Sequence, residues 1–311
     1  MRSNRCSRRE FLARTVALAG TVTSAQSSGM ARPDGPSPID FPAKKIVVGG
    51  HLWVYAADQP RYDPTAILET VFADFKYAGL DGVELMHLGL LHDDAVDRIG
   101  ALIDKYKLPV IGTSIEGPMW NRAEHAAILK DAETFIPRLA KLGGRTMGTS
   151  VGRANRVKTE AELDAQAEMV RRLTEMCKAR DIVLNLHNHT YEVENNEYDL
   201  KGTLARVPDA KLGPDLNWLV RAGVDPVDFI KRYGDRIIFL HLRDQGADGK
   251  WTEALGEGVM DYVAIGKALR EVRFSGDAMI ELAHERGFRL TSPLRESWKM
   301  SREFVRKTLG F

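Results

Sequence analysis

From residue 46 to the last helix, the chain alternates short apolar runs with longer amphipathic ones eight times, and few folds accept that rhythm. The strand-like runs are 46–54, 82–86, 110–115, 145–151, 182–187, 212–216, 237–242 and 278–282. Helical stretches follow them at 64–77, 93–106, 122–142, 160–179, 201–207, 226–233, 262–272 and 293–309. The most regular is 160–179, where Leu163, Ala167, Val170, Leu173, Met176 and Cys177 form one apolar stripe. Most strand runs are apolar on both faces, which suits a parallel sheet covered by helices. Eight such repeats in about 285 residues predict an α/β fold, a single (β/α)8 TIM barrel over 43–311. An open doubly wound sheet is the alternative. No G-x-G-x-x-G turn follows the first strand, where a nucleotide fold would usually carry one.

The N-terminus has a different character. Ser7-Arg8-Arg9-Glu10-Phe11-Leu12-Ala13 reads as a twin-arginine export signal, followed by a short apolar run and small residues around Thr23-Ser24-Ala25. The apolar run is interrupted by Arg14 and Gly20 and is too short to span a bilayer, so no stable membrane association is expected. Residues 1–25 are therefore predicted to be a signal peptide and 26–42, rich in Ser, Gly and Pro, a flexible linker. The twin-arginine export machinery is the partner this implies, and a periplasmic or otherwise extracytoplasmic location the destination. The predicted signal holds five arginines and one glutamate, so the net charge falls from +1 for the whole chain to −3 beyond it. A slightly acidic protein has no electrostatic reason to seek nucleic acid. Of the two cysteines, Cys6 lies in the signal, which leaves Cys177 without an internal disulfide partner.

In a (β/α)8 barrel the chemistry sits at the C-terminal ends of the strands. Those ends are here rich in ionisable residues: Glu84 and His87 on the second, Glu116 on the third, Asp215 on the sixth, His241, Arg243 and Asp244 on the seventh, Glu281 on the eighth. The fifth ends Asn185-Leu186-His187-Asn188-His189, and its period of two puts Asn185, His187 and His189 on one face. Carboxylates in apolar strands are costly unless compensated. Asp215, His241 and Glu281, from three consecutive strands, point to a shared divalent cation. Oxygen and imidazole donors without thiolate suit Mn, Co, Mg or Zn.

Through these residues the chain resembles the xylose isomerase-like barrel superfamily, of the sugar phosphate isomerase/epimerase type. The resemblance runs from about Lys45 to the C-terminus. It is carried by Asp81-Gly82-Val83-Glu84, by Leu186 through Glu192, by Ala222-Gly223-Val224-Asp225-Pro226, by Arg236 through Asp244, and by Leu255-Gly256-Glu257-Gly258. It implies a (β/α)8 barrel with one divalent metal, often manganese, at its mouth. Relatives commonly hold that metal with a glutamate on strand five, an aspartate on six, a histidine on seven and a glutamate on eight. Asp215, His241 and Glu281 match the last three. At the strand-five position this chain has Asn185, so the fourth ligand is His187, His189 or Glu84. Trp218 stands where ketose 3-epimerases have a substrate-contacting histidine.

The resemblance implies an isomerase or epimerase acting on a sugar or keto-sugar through an enediolate. Glu281 and His187 or His189 would exchange protons, with Asp215, His241, Glu281 and His187 as metal donors. Glu84, Glu116, Trp218 and Arg243 would contact the substrate, unless Arg243 simply pairs with Asp244 or Glu281. Trp53, Tyr55, Trp120 and Trp218 could floor the sugar site. Loss of a β-substituent from the same intermediate would make the protein a keto-sugar dehydratase or lyase, and a non-catalytic sugar-binding role is a further alternative. An endonuclease IV-like activity needs three zinc ions and a positive face, which the acidic charge opposes. Export argues for an unphosphorylated sugar.

Overall fold

The eight apolar runs become eight strands of one parallel sheet in this computed structural model, which describes residues 45–311. The strands are β1 (Val48–His51), β2 (Val83–Met86), β3 (Val110–Glu116), β4 (Thr146–Ser150), β5 (Val183–Leu186), β6 (Lys211–Leu212), β7 (Phe239–Leu242) and β8 (Asp277–Ile280). They pair in the order β6-β5-β4-β3-β2-β1-β8-β7. Two isolated parallel bridges, Leu212 with Ile237 and Asp215 with His241, nearly close the ring. With helices between the strands this is a single (β/α)8 barrel. The predicted signal peptide and linker lie outside the described residues.

The main apolar core fills the space between strands and helices. Phe75 and Trp298 anchor it, with ring centroids 4.5 Å apart in an edge-on arrangement, and so tie the last helix, Leu294–Leu309, to Leu68–Ala78. A smaller cluster of Ile111, Phe239 and Met279 is separate from that core. Because strand side chains alternate, the residue two positions after Phe239 is His241 and the one two after Met279 is Glu281. The faces that carry this apolar plug therefore continue upward into charged groups.

Helix ends explain several boundaries. Thr159 and Glu162 form a reciprocal capping box that starts Glu160–Lys178. Asp225 accepts from the amides of Val227 and Asp228 and starts Pro226–Tyr233. Two expectations change. The short helix predicted at 201–207 is the end of a longer one, Thr190–Arg206, broken by a left-handed turn at Asn195, Asn196 and Glu197 (φ 51°, 58° and 61°). Asparagine tolerates that conformation better than most residues. The buried Glu197 carboxylate is held there by Arg232 at 2.5 Å and by the Tyr233 hydroxyl at 2.7 Å. Strand six is also shorter than predicted. It stops at Leu212, ahead of Gly213 and Pro214, and Asp215 instead caps a helix over Leu216–Arg221 that carries Trp218.

Among the described residues, no helix is long and apolar enough to cross a membrane. Cys177 is fully buried, and burial pushes its thiol up to about 12. In a Cys6→Ser protein, Cys177 should therefore resist a thiol reagent until the chain is unfolded, then react with one equivalent. Rapid labelling of the folded protein would show that helix 160–178 opens readily.

Candidate functional site

The strand ends surround a cavity of about 380 Å³. Its polar floor is formed by His51, His187, His241, Arg243 and Glu281, and its aromatic walls by Trp53, Tyr62, Trp218 and Trp251. Glu116, Ser150 and His189 line the opposite side.

His187, Asp215 and His241 offer ligand atoms that all lie within 4.8 Å of one another. Two donors bound at about 2.0–2.2 Å to one ion stand at most about 4.4 Å apart, so small rotations would bring this set onto a common cation. The His187 Nδ1 atom is buried and has no hydrogen-bond partner among the described residues. Burial and the neighbouring His241 and His189 push the His187 pKa well below the ordinary histidine value, which keeps the ring neutral and its lone pair available. The donors are nitrogen and oxygen only, so the residues fit a divalent cation such as Mn, Co, Mg or Zn. On strand five the residue beside Asp215 and His241 is thus His187, two positions beyond Asn185. Asn185 lies deeper, where a Cβ on Gly213 would come within 1.9 Å of its Oδ1. Glycine at 213 is what leaves room for that amide.

Glu281 takes a different place. Its Oε2 lies 2.8 Å from His241 Nδ1, an ion-pair distance without hydrogen-bond alignment, and its Oε1 accepts from an Arg243 Nη. His241 Nε2 meets Glu84 Oε2 at 2.6 Å. Burial disfavours the imidazolium, but Glu84 and Glu281 outweigh it and raise the His241 pKa to about 10, so a metal would bind this ring only by displacing a proton and one carboxylate contact. Burial likewise opposes the Glu281 charge, yet Arg243, His51 and His241 hold it well below the usual carboxylate range. Arg243 completes the group by donating Nε to Asp215 Oδ2 at 2.7 Å. Its partners are therefore Asp215 and Glu281, not Asp244. Asp244 instead accepts from the amides of Gly256 and Gly258, which pins the loop after β7.

Across the cavity a second network fixes His189. Ser150 Oγ and Glu192 Oε1 share a hydrogen bond of 2.5 Å, and Tyr191 donates its hydroxyl to Glu116 Oε1 at 2.7 Å. Burial raises the Glu192 pKa to about 8 and lets that carboxyl carry a proton toward Ser150. The Tyr191 hydroxyl, by contrast, has only one hydrogen, so it can only accept from His189 Nδ1, at 2.9 Å. This assigns the proton to Nδ1 and leaves a lone pair on Nε2. Burial, its largest cause, lowers the His189 pKa, so the ring is neutral at pH 7.

Glu84 is buried beneath His241, out of reach of a ligand in the cavity, whereas Glu116, Trp218 and Arg243 line it. Of the aromatics proposed as a sugar floor, Trp53 and Trp218 line the cavity, and Tyr55 and Trp120 do not. Sequence reasoning missed His51, Ser150, Tyr191 and Trp251. Trp251 reaches the mouth because its indole N–H donates to Asn217 Oδ1 at 2.9 Å, a contact between separate loops that no local pattern signals. Tyr191 alone had a usable signal, lying inside the His-Asn-His-Thr-Tyr-Glu run.

A barrel whose strand ends converge imidazoles and carboxylates beneath aromatic walls defines a small-molecule site of the (β/α)8 kind. A model of the xylose isomerase-like TIM barrel family matches residues 72–308, and the chain belongs to that family. Its fold is similar to a D-allulose 3-epimerase from Methylomonas sp. (18% identity, 86% of this chain and 99% of that one, TM-score 0.69). It is also similar to an L-ribulose 3-epimerase (20%, 86% and 95%, TM-score 0.69). A third similar structure is a 3-keto-D-glucoside 4-epimerase from E. coli (18%, 85% and 100%, TM-score 0.65). None of the curated proteins has significant sequence similarity to the chain.

Glu281→Gln would leave Arg243 and His241 short of one buried carboxylate, and breaking such a network costs on the order of 3–5 kcal/mol. Urea unfolding should show that loss. Glu285→Gln removes only a partly exposed partner of Arg221, and should change stability by less than about 1 kcal/mol.

Proposed function

We propose that this protein is a divalent-metal-dependent isomerase or epimerase of an unphosphorylated sugar or keto-sugar, exported by the twin-arginine route. The observation that carries this reading is the convergence of His187 and His241, on the floor of an aromatic-walled cavity, with the carboxylate of Asp215, buried just beneath it. These three would hold the metal. When bound, a divalent cation there supplies Lewis-acid polarisation of a substrate carbonyl.

The remaining work falls to the protein's own side chains. His189, neutral and bearing its lone pair on Nε2, is suited to take a proton from the carbon next to the carbonyl. Glu281 is the second candidate for proton exchange, and Glu116 and Trp218 contact sugar hydroxyls and the ring face. Proton return to the adjacent carbon gives isomerisation, and return to the opposite face gives epimerisation. Expulsion of a β-substituent would instead give an unsaturated product.

The mouth also bears on substrate charge. Arg243 is the one arginine lining this cavity among the described residues, no lysine lines it, and two carboxylates already neutralise that arginine. No free cation is left there for a phosphate. A neutral sugar fits the cavity better.

Candidate ketoses and 3-keto-glycosides incubated with the Mn²⁺-loaded protein in D₂O should take up deuterium at the carbon flanking the carbonyl. Asp215→Asn and His241→Ala should abolish both exchange and metal binding. Tight metal binding with no exchange into any sugar would refute the catalytic reading and favour a binding protein. Tyr191→Phe frees His189 from its fixed tautomer. It should lower kcat on the order of tenfold to a hundredfold without weakening metal affinity. For export, replacing Arg8 and Arg9 together by lysine should leave the protein in the cytoplasm on cell fractionation.

A further inference from the structure

We propose that Arg243 is a built-in counter-cation that competes with the divalent metal for Asp215, so that the chain carries its own antagonist of metal binding. The proposal rests on the reading that His187, Asp215 and His241 form the metal site.

Both oxygens of Asp215 are already engaged. Oδ1 accepts from the backbone amides of Asn217 at 2.9 Å and Trp218 at 3.1 Å, the N-cap of helix Leu216–Arg221. Oδ2 accepts from Arg243 Nε at 2.7 Å. Oδ1 cannot be freed without uncapping the helix, which leaves Oδ2 as the oxygen a metal would take. Arg243 holds it. The guanidinium also donates to Glu281, the carboxylate that the family resemblance makes a ligand, so one cation spans two of the expected metal donors.

The arginine has no easy retreat. Its side chain is 5% exposed and lies beside Trp218 and Trp251, whose ring centroids are 5.5 and 5.7 Å from its Cζ. It cannot shed its charge as a lysine or histidine could. A dication arriving within a few ångströms therefore meets a fixed like charge in a buried setting, where such repulsion is poorly screened. The consequence is a reciprocal coupling. Whatever loosens the Arg243–Asp215 contact tightens metal binding, and bound metal loosens that contact.

The test is Mn²⁺ titration by calorimetry on metal-stripped wild type, Arg243→Gln and Asp215→Asn, with Tm recorded with and without Mn²⁺. Arg243→Gln should bind Mn²⁺ about tenfold tighter or more than wild type. It should also melt lower without metal and gain more in Tm on adding it. In Arg243→Ala, millimolar guanidinium should weaken Mn²⁺ binding, while the wild type should be indifferent to it. If Arg243→Gln fails to fold, Arg243→Lys serves, because a point charge cannot span both carboxylates, and its Mn²⁺ affinity should lie above that of wild type. Equal or weaker binding in the arginine variants, with Asp215→Asn abolishing it, overturns the competition and leaves the metal site standing. No binding by wild type or any arginine variant overturns both.

Discussion

One buried ionic ladder holds the mouth of this barrel together. Asp215, Arg243 and Glu281 come from the ends of β6, β7 and β8, and His241 on β7 reaches across the interior to Glu84 on β2. The ladder falls where the sheet is weakest, because β6 and β7 meet only through isolated bridges, one of them Asp215 with His241. Three carboxylates and two cations in a buried site would be ruinous unpaired, so their mutual compensation is a condition of the fold as much as of the chemistry. This explains why residues that read individually as candidate ligands also behave as structural groups.

The mouth has two electrostatic halves. On one side the ladder concentrates fixed charge that cannot easily change. On the other, β3, β4 and the turn after β5 contribute Glu116, Ser150, His189 and Tyr191, joined by hydrogen bonds around a neutral imidazole. A site that must polarise a substrate and also move a proton needs both kinds of surroundings, a strong local field and a base poised to accept. Glu192 links the second half to the fold, since it is hydrogen-bonded to Ser150 Oγ and accepts from the Val151 and His189 amides at once.

Much of the barrel was legible in the residues. Short runs apolar on both faces and 3.6-period stripes report burial directly, and they located all eight strands and the order of the helices. The errors came where a local signal was weak or overridden. Strand six looked longer than it is because Leu212 through Leu216 is apolar at alternate places, but Pro214 offers no amide and Asp215 makes a better helix cap than a strand residue. The helix from Thr190 was hidden by Asn195, Asn196 and Glu197, whose left-handed turn depends on the distant Arg232 and Tyr233. For the site, the strand ends alone named Asp215, His241 and Glu281. The structure groups the first two with His187, one of three fourth-ligand alternatives that came only with the family resemblance, and sets Glu281 against Arg243 and His241 instead.

What the sequence determined by itself was the architecture and the inventory of ionisable groups at the strand ends, because both follow from periodicity along the chain. Which of those groups face one another was decided only in three dimensions. Arg243 could have served substrate, Asp244 or Glu281, and its pairing with Asp215 joins two residues that are 28 apart in sequence yet brought side by side where the ring closes. Likewise, the bare nitrogen of His189 follows from the nearby Tyr191 hydroxyl, whose single hydrogen goes to Glu116, 75 residues away in the chain. Partner choice in a buried polar cluster is a property of the closed barrel, since only closure removes the water that would otherwise satisfy every group separately.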